Sequence, residues 1–234
     1  MSEPVRIVCV VFPDVTQLDL TGPAQVFSRL PDAELHFVWH RIEPVPTDAG
    51  FAILPTTTLA DAPQADVLFV PGGQGAFTLF DDEPMLAFLQ GQAQGARFVT
   101  SVCTGSFTLA AAGLLSGQRA TSHWASLGLL ERLGAVPVAD RVVRDGNVIT
   151  GAGVSSGIDY ALTVAAELRG DAVAKSIQLA IEYDPAPPFD AGSPGRPDAN
   201  PDEVAATIAA MQRFRGPLVD AAAGRLNKKV PGET

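Results

Sequence analysis

The sequence predicts an α/β fold of three layers, in which helices cover both faces of a mostly parallel central sheet. Three observations predict it. Short runs such as residues 5–11 and 98–102 are mostly apolar or β-branched, which is typical of strands buried on both faces. These runs alternate with segments that carry helix start and stop signals. The chain has 234 residues, of which 47% are hydrophobic, enough for one domain with a sizeable core.

The N-terminal elements are a buried strand over residues 5–11 and a helix that follows it. Thr21 is predicted to be the N-cap of this helix, with Pro23 in its first turn and its end near Leu30. Cys9 lies within the strand and is interpreted as a small core residue. Asp19 lies just before the predicted cap, between two leucines, where a freely solvated loop charge is not expected.

The middle of the chain continues the alternation of strands and helices. The predicted elements are a strand over 35–42, a hairpin over 45–55, a strand over 66–70, a helix over 82–94 and a strand over 98–102. The strand over 66–70 is followed by Pro71-Gly72-Gly73, and glycines there let the backbone approach a ligand closely. Their spacing fits neither a Walker loop nor a dinucleotide-binding fingerprint.

The C-terminal half predicts further elements of the same kind. They are a helix to 115, a strand over 119–121, a helix over 123–133 capped by Ser122, a hairpin over 141–150, helices ending near 168 and 182, a loop over 185–201 and a helix over 202–214. Gly216-Pro217 is expected to break or kink the last helix before a short stretch to 226. Residues 1–185 are predicted to form an α/β domain, on which the Pro-rich loop and C-terminal helix of residues 186–234 pack.

The segment 97–112 brings a strand and a helix together within three residues. Only Cys103, Thr104 and Gly105 separate the apolar run 98–102 from the apolar run that begins at Ser106. So sharp a turn pushes the residue at its tip out of the sheet, and free amides at a helix N-terminus lower the pKa of a thiol. The sequence therefore predicts an exposed and acidified sulfur at Cys103.

The charge balance argues against nucleic acid as a partner. The chain has 16 Lys and Arg residues against 26 Asp and Glu residues, a formal net charge of −10, whereas nucleic-acid binding depends on basic residues. No apolar stretch reaches the length of a membrane span, and the N-terminus is unlike a signal peptide. Cys9 and Cys103 are too few for a disulfide framework, so we expect a cytoplasmic protein.

Four features fall at the carboxyl ends of the predicted strands, the edge at which open α/β sheets bind ligands. They are Asp19, Gly72-Gly73, Cys103-Thr104 and Gly151-Ala152-Gly153. We interpret Cys103 as a nucleophile rather than a core thiol, and Asp19 as its carboxyl partner rather than a second helix cap. Thr104 fits both a helix-start residue and a residue whose amide binds an anion. At least one of the glycine pairs is expected to form only a turn.

The proton carrier of such a site is predicted to be a carboxyl group. Cysteine hydrolases need an imidazole to take and return the proton, but no histidine adjoins Cys103, and His123 is interpreted as packed beside Trp124. A carboxyl group held close to a thiolate and shielded by leucines has a raised pKa. Asp19 is therefore the candidate.

These residues resemble the ThiJ/PfpI superfamily, which has a flavodoxin-like fold related to class I glutamine amidotransferases, over about residues 5–182. The marks are the acid at Asp19, PGG at 71–73, VCTGS at 102–106, TSHW at 121–124 and GAGVSSGID at 151–159. Within the superfamily, the chain is most similar to the members that hydrate isonitriles. The residues that carry this similarity are DLTGP at 19–23, the Cys103-Thr104 pair and YDPAPPFDAGSP at 183–194. Proteases and deglycases of the superfamily usually have His after the cysteine, where this chain has Thr104.

The resemblance implies hydration of an isonitrile, R–N≡C, to an N-substituted formamide without a cofactor or a metal. Cys103 as thiolate would attack the terminal carbon, and Asp19 would protonate that carbon to give a thioimidate and then activate water. Backbone amides would bind the substrate or steady the developing charge, in the region of Gly72, Gly73, Thr104, Gly153 and Val154. The resemblance also implies a homodimer.

Two other functions stay open on the sequence. A relative without catalytic activity would use Cys103 as a redox switch. A glyoxalase or deglycase would act on reactive carbonyl compounds. Turnover of an isonitrile, oxidation of Cys103 by peroxide and turnover of methylglyoxal distinguish the three functions.

Overall fold

A seven-stranded sheet forms the centre of the structure, a computed structural model that describes residues 4–229. The strands are β1 (Val5–Val10), β2 (Ala33–Trp39), β3 (Val45–Pro46), β4 (Ala52–Ile53), β5 (Thr57–Thr58), β6 (Val67–Val70), β7 (Phe98–Val102), β8 (Arg119–Ala120), β9 (Val136–Pro137), β10 (Val142–Asp145) and β11 (Val148–Gly151). The α-helices are α1 (Gln17–Phe27), α2 (Glu83–Gly95), α3 (Gly105–Ala111), α4 (Ser156–Arg169), α5 (Asp171–Ala180) and α6 (Pro201–Lys229). Two 3-10 helices cover Gln74–Asp81 and Leu127–Leu133.

The order of strands in the sheet is β10-β11-β7-β6-β1-β2-β5, and every neighbouring pair except β10 and β11 is parallel. The central strands β6 and β7 are buried along their whole length, as their apolar sequences predict. The α/β fold with a mostly parallel sheet is confirmed. The predicted hairpins are also present, as the pairs β3–β4 and β10–β11.

The core consists of two apolar layers, one on each face of the sheet, and β1 contributes to both. Val8 and Val10 belong to the layer covered by α2, α3 and α6, whereas Ile7 and Cys9 belong to the layer covered by α1 and α4. This alternation follows from the two-residue repeat of a strand. Cys9 is fully buried, in agreement with its interpretation as a core residue.

Helix α1 begins five residues earlier than predicted. Thr16 rather than Thr21 is its N-cap, so Asp19 lies in the first turn of the helix and Pro23 lies inside it. The Gln17 N–H donates to Asp48 Oδ1 at 3.1 Å. Because a distant aspartate from the β3–β4 hairpin satisfies this amide, the first turn is stable without a local capping sequence.

The segment predicted as a helix over 123–133 is helical only over its second half, as the 3-10 helix Leu127–Leu133. Ser122, the predicted cap, donates its hydroxyl to the Cys103 carbonyl at 2.8 Å instead. Gly134 ends this helix with a left-handed conformation, as predicted.

Helix α6 runs without a break through Gly216 and Pro217, so the predicted interruption is wrong. Its second half is held on the body of the protein, because Val219 and Ala222 are buried in the core. These contacts offset the backbone hydrogen bond that Pro217 cannot make.

Candidate active site

Cys103 stands at the turn between β7 and α3, as the sequence predicts, and has a strained backbone. Its φ angle is 55°, a region that residues with a side chain rarely occupy. Its N–H donates to the carbonyls of Gly151 at 3.0 Å and Ala152 at 2.8 Å. Its own carbonyl accepts from the hydroxyls of Ser106 at 3.0 Å and Ser122 at 2.8 Å. Hydrogen bonds from β11 and from two serines therefore hold the cysteine in this conformation.

Gly105 lets the helix start pack tightly against the neighbouring strand. A Cβ atom at this position would lie 2.1 Å from the Val70 carbonyl oxygen, a distance that no side chain tolerates. Helix α3 can therefore begin directly beside the end of β6 only because residue 105 is glycine.

Asp19, Cys103 and the Thr104 amide meet around Gly72. A Cβ atom on Gly72 would lie 2.6 Å from Asp19 Oδ2, 2.6 Å from the Thr104 backbone nitrogen and 2.7 Å from Cys103 Cβ. The Gly72 N–H donates to Asp19 Oδ2 at 3.1 Å. The structure thus brings together four of the residues that the sequence singles out, and they come from α1, β6, β7 and α3.

The Asp19 carboxyl group is completely buried. Its Oδ1 atom accepts no hydrogen bond from a nitrogen or hydroxyl group within residues 4–229. Burial raises the pKa of Asp19 to about 7, and the negative charge of Asp48 acts in the same direction. Hydrogen bonds from the Cys103 thiol and the Gly72 amide oppose this effect on the pKa. At neutral pH the carboxyl group is therefore poised between its charged and neutral forms.

The prediction of an exposed and acidified sulfur is wrong. Cys103 is only 5% exposed, and burial raises the pKa of its thiol, with a further increase from the charge of Asp19. The Thr104 amide lowers this pKa, but α3 is a short helix of seven residues and does not outweigh burial. The charge of Asp19 makes ionisation of the thiol harder, whereas the thiol favours ionisation of Asp19, so the two groups titrate as a coupled pair.

Two of the amides predicted to bind substrate already have partners. The Gly72 N–H is taken by Asp19, and the Gly73 N–H donates to Thr104 Oγ1 at 2.9 Å. The same hydroxyl donates back to the Gly73 carbonyl at 2.9 Å. The role expected for the Gly72 and Gly73 amides in steadying developing charge therefore does not fit this arrangement, in which they hold Asp19 and Thr104 in place.

Gly153 and Val154 follow β11 and have free amides. In the part of the chain that the structure describes, neither N–H donates a hydrogen bond. Val154 packs against the apolar layer that contains Cys103. A Cβ atom on Gly153 would lie 3.0 Å from His123 Cδ2, so this turn lies against the imidazole ring.

His123 is a packed ring, in agreement with its structural interpretation. Its Nδ1 atom accepts from the Ala125 N–H at 3.3 Å, and its ring lies 5.4 Å from that of Trp124. Burial lowers the pKa of His123, and the positive charge of Arg215 lowers it further. The imidazole is therefore neutral at pH 7.

Sequence reasoning missed Arg215, which lies on α6 far along the chain from the cysteine. Its Nη1 donates to Ser126 Oγ at 2.7 Å and its Nη2 to Gln74 Oε1 at 3.3 Å. The positive charge of Arg215 lowers the pKa of Cys103. A signal was present, because Arg215 shares the helical spacing of the buried residues Val219 and Ala222.

Neither a metal cluster nor a membrane span is found in residues 4–229. No three His, Cys, Asp or Glu side chains of this part of the chain are grouped so that they could hold a metal ion. None of its helices combines the length and apolar character that crossing a membrane requires.

A cysteine at a strand–helix turn, on a mostly parallel sheet and beside a buried carboxyl group, defines a class of α/β proteins. The sequence model of the DJ-1/PfpI family matches residues 5–167, and the chain belongs to this family. The resemblance to the ThiJ/PfpI superfamily is thereby confirmed.

Several relatives resemble the chain closely. Isonitrile hydratase from Pseudomonas putida is 53% identical over 218 residues, which are 93% of this chain and 96% of that protein. A ThiJ/PfpI family protein from Pseudomonas syringae has a structure that superposes with a TM-score of 0.89 at 43% identity, covering 96% of this chain and 92% of its own. Drosophila melanogaster DJ-1beta superposes with a TM-score of 0.71 at 25% identity, covering 76% of this chain and 98% of its own.

Proposed function

We propose that this protein is an isonitrile hydratase, a hydro-lyase that adds water to R–N≡C and releases R–NH–CHO without a cofactor. The observation that carries the proposal is the pair of Asp19 and Cys103, which face each other around Gly72 in a site without an adjoining histidine base. The 53% identity to the isonitrile hydratase of Pseudomonas putida over nearly the whole of both chains supports it.

The first half of the reaction joins the sulfur to the substrate. The reactive form of the resting pair holds one proton, on the thiol, with Asp19 as the carboxylate, and because the pKa of Asp19 is about 7 this form is populated at neutral pH. Asp19 takes this proton while Cys103 Sγ attacks the terminal carbon of the isonitrile, which forms the C–S bond. The carboxylic acid then gives the proton to the same carbon. The product is a thioimidate, Cys103–S–CH=N–R, and Asp19 is again a carboxylate.

The second half of the reaction releases the formamide. Asp19 takes a proton from water while the water oxygen adds to the thioimidate carbon, and the carboxylic acid then protonates the nitrogen. The tetrahedral adduct collapses, the C–S bond breaks and the hydroxyl proton returns to the sulfur through Asp19. One water is consumed, and the thiol and carboxylate are restored.

Backbone amides around the pair support these steps, some by acting on the reacting groups and others by holding side chains in place. The Thr104 amide acts on Cys103 and lowers its pKa, so it favours the thiolate as it forms. The unpartnered amides of Gly153 and Val154 are the donors available to developing negative charge on the adduct. The amides of Gly72 and Gly73 act indirectly, because they fix the positions of Asp19 and Thr104.

Conversion of an aryl isonitrile, followed by the absorbance of the formamide, tests the proposal. We expect the wild-type protein to convert the isonitrile and Cys103→Ala to have no activity. The conversion rate of Asp19→Asn is expected to be at least about a hundredfold lower, which is the scale of general acid–base catalysis. Cys9→Ala is the matched control, because Cys9 is the second cysteine and is fully buried within β1. Turnover of methylglyoxal but not of isonitrile would instead favour a glyoxalase.

We also infer a homodimer in the cytoplasm. The family resemblance supports the dimer, which sedimentation equilibrium measures directly. Both cysteines are free and buried, which is compatible with a reducing compartment, and fractionation of cells tests the location.

A further inference from the structure

Arg215 reaches the site from α6 and is held from three sides. Besides its hydrogen bonds to Ser126 and Gln74, its guanidinium carbon lies 4.8 Å from the centre of the Phe77 ring. Each residue that Arg215 contacts is connected, through one or two further contacts, to residues at the turn that holds Cys103. Gln74 follows Gly73, which is bonded to Thr104 on both its N–H and its carbonyl.

Phe77 and Ser126, the other two residues that Arg215 contacts, are also connected to the turn that holds Cys103. Phe77 lies with its ring centre 5.3 Å from that of Phe107, which is in the helix that begins after Cys103. Ser126 donates its N–H to the His123 carbonyl, and Ser122 of the same segment donates its hydroxyl to the Cys103 carbonyl. The guanidinium is thus fixed against two segments, the 3-10 helix Gln74–Asp81 and the segment that contains Ser122 and Ser126, and both segments are in contact with the residues around Cys103.

Arg215 has no carboxylate partner in the part of the chain that the structure describes. None of the ion pairs within residues 4–229 includes it. Its Nε atom is buried and forms no hydrogen bond there. A cation in a protein interior is destabilising unless a negative charge compensates it. The nearby negative charge is that of the Asp19–Cys103 pair, which carries a net charge of −1 when it holds one proton.

We propose that Arg215 is a positioning residue that stabilises the singly protonated, anionic form of the Asp19–Cys103 pair, so that α6 completes the active site electrostatically. The catalytic part of this proposal rests on the proposed function, whereas the effect on the thiol does not. The matched DJ-1/PfpI region ends at residue 167, so this charge comes from a part of the chain beyond it.

Two charged groups outside the pair, Asp48 and Arg215, act on the pKa values of its members. Asp19 raises the pKa of Cys103 and Asp48 raises that of Asp19, whereas Arg215 lowers that of Cys103. His123 is neutral at pH 7 and does not replace the positive charge. Removal of Arg215 therefore removes the positive charge that lowers the pKa of Cys103, and the pair then binds its protons more tightly.

The test compares Arg215→Gln with Arg215→Lys and the wild type. The rate of Cys103 alkylation by iodoacetamide is measured from pH 6 to pH 11, because burial raises the pKa of the thiol above its ordinary value, and the modified peptide is identified by mass. At pH 7 we expect Arg215→Gln to react about tenfold more slowly, a common effect of a nearby opposite charge, and its pH midpoint to rise. Arg215→Lys keeps the charge and is expected to restore most of the rate.

Isonitrile turnover supplies a second readout. We expect kcat of Arg215→Gln to fall with little change in KM, because a positioning residue acts on the reacting groups rather than on substrate binding. The acid limb of the pH profile is expected to move upward. The matched control is Arg225→Gln, which removes another arginine that tethers α6, through the Phe80 carbonyl and Asp81. This control is expected to leave the alkylation midpoint and the pH profile unchanged.

An unchanged alkylation midpoint in Arg215→Gln would overturn the proposal and leave Arg215 as a structural tether only. If Arg215→Gln does not fold, Ser126→Ala carries the same test, because it releases Nη1 while the charge remains. Ser126→Ala is then expected to shift the midpoint upward by less, and an unchanged midpoint contradicts the proposal. If the alkylation midpoint shifts in Arg215→Gln but the wild-type protein converts no isonitrile, the electrostatic role of Arg215 stands and the proposed function is rejected.

Discussion

At the residue scale, Gly72 is the position on which the geometry of the site depends. Its α-carbon is the common neighbour of the Asp19 carboxyl, the Cys103 side chain and the Thr104 amide. All three neighbours are held by backbone or buried contacts, so none can move away cheaply. A methyl group at residue 72 must therefore separate the acid from the thiol.

Gly72→Ala is expected to lower isonitrile turnover at least about a hundredfold and to reduce the free energy of unfolding by about 1 to 3 kcal/mol through overpacking. Gly91→Ala is the control, because a Cβ atom there meets nothing within 4 Å and the residue lies in α2. Alanine in a helix interior is about 0.5–1 kcal/mol more favourable than glycine. Urea denaturation and turnover assays measure both effects, and an active Gly72→Ala would contradict the described geometry.

Asp19 should make the stability of the protein depend on pH. Its pKa is about 7 in the folded protein and close to 4 in an unfolded chain, so the folded state binds more protons between these values. Stability contributed by the neutral acid is therefore lost as the pH rises through this window. Asp19→Asn removes the effect and should be more stable than the wild type above pH 7, by on the order of 4 kcal/mol at most.

Urea denaturation of both proteins at pH 5 and pH 8 measures this difference. The wild type is expected to lose stability relative to Asp19→Asn between the two pH values. A difference that does not change with pH would mean that Asp19 ionises as freely in the folded protein as in the unfolded chain.

The sequence identified the two central residues of the site but not their environment. A cysteine between a strand and a helix, and an acid between leucines, were visible as local patterns. The burial of the thiol was not, because it depends on contacts from distant segments. The partners of the Gly72 and Gly73 amides and the approach of Arg215 likewise depend on residues 31 to 141 positions away.

At the element scale, the long central strands were predictable, whereas the two-residue strands β5 and β9 and several helix starts were not. Strand β7 has the predicted bounds, because an apolar run flanked by polar residues is sufficient to define a buried strand. The starts of α1 and of the 3-10 helix Leu127–Leu133 were wrong. In both cases a long-range hydrogen bond decided the outcome, from Gln17 to Asp48 and from Ser122 to Cys103.

Helix α6 offers a direct test of packing against local propensity. Because Pro217 lies inside the helix, Pro217→Ala should restore a backbone hydrogen bond and raise the free energy of unfolding by about 1 to 3 kcal/mol. Pro201→Ala is the control, since proline at the first position of a helix is well tolerated there. Urea denaturation measures both. A destabilised Pro217→Ala would show that the proline is required rather than tolerated.

At the scale of the whole molecule, the site is assembled from segments spread along the chain. The carboxyl ends of β6, β7 and β11 supply glycine turns and the cysteine, α1 supplies the acid and α6 supplies a positive charge. The parallel topology was predictable from the alternation of strands and helices, and it explains why Gly72 and Cys103 meet. The docking of α6 was expected only in general terms, and its contribution to the site follows from tertiary structure alone.

The most direct test of the central claim is the dependence of isonitrile conversion on selective alkylation of Cys103. Cys9 has no exposed surface, so iodoacetamide should modify Cys103 first, and peptide masses give the modified fraction. Conversion is predicted to fall in proportion to that fraction and to reach zero when every Cys103 is alkylated. Conversion at the wild-type rate by fully alkylated protein would contradict the account.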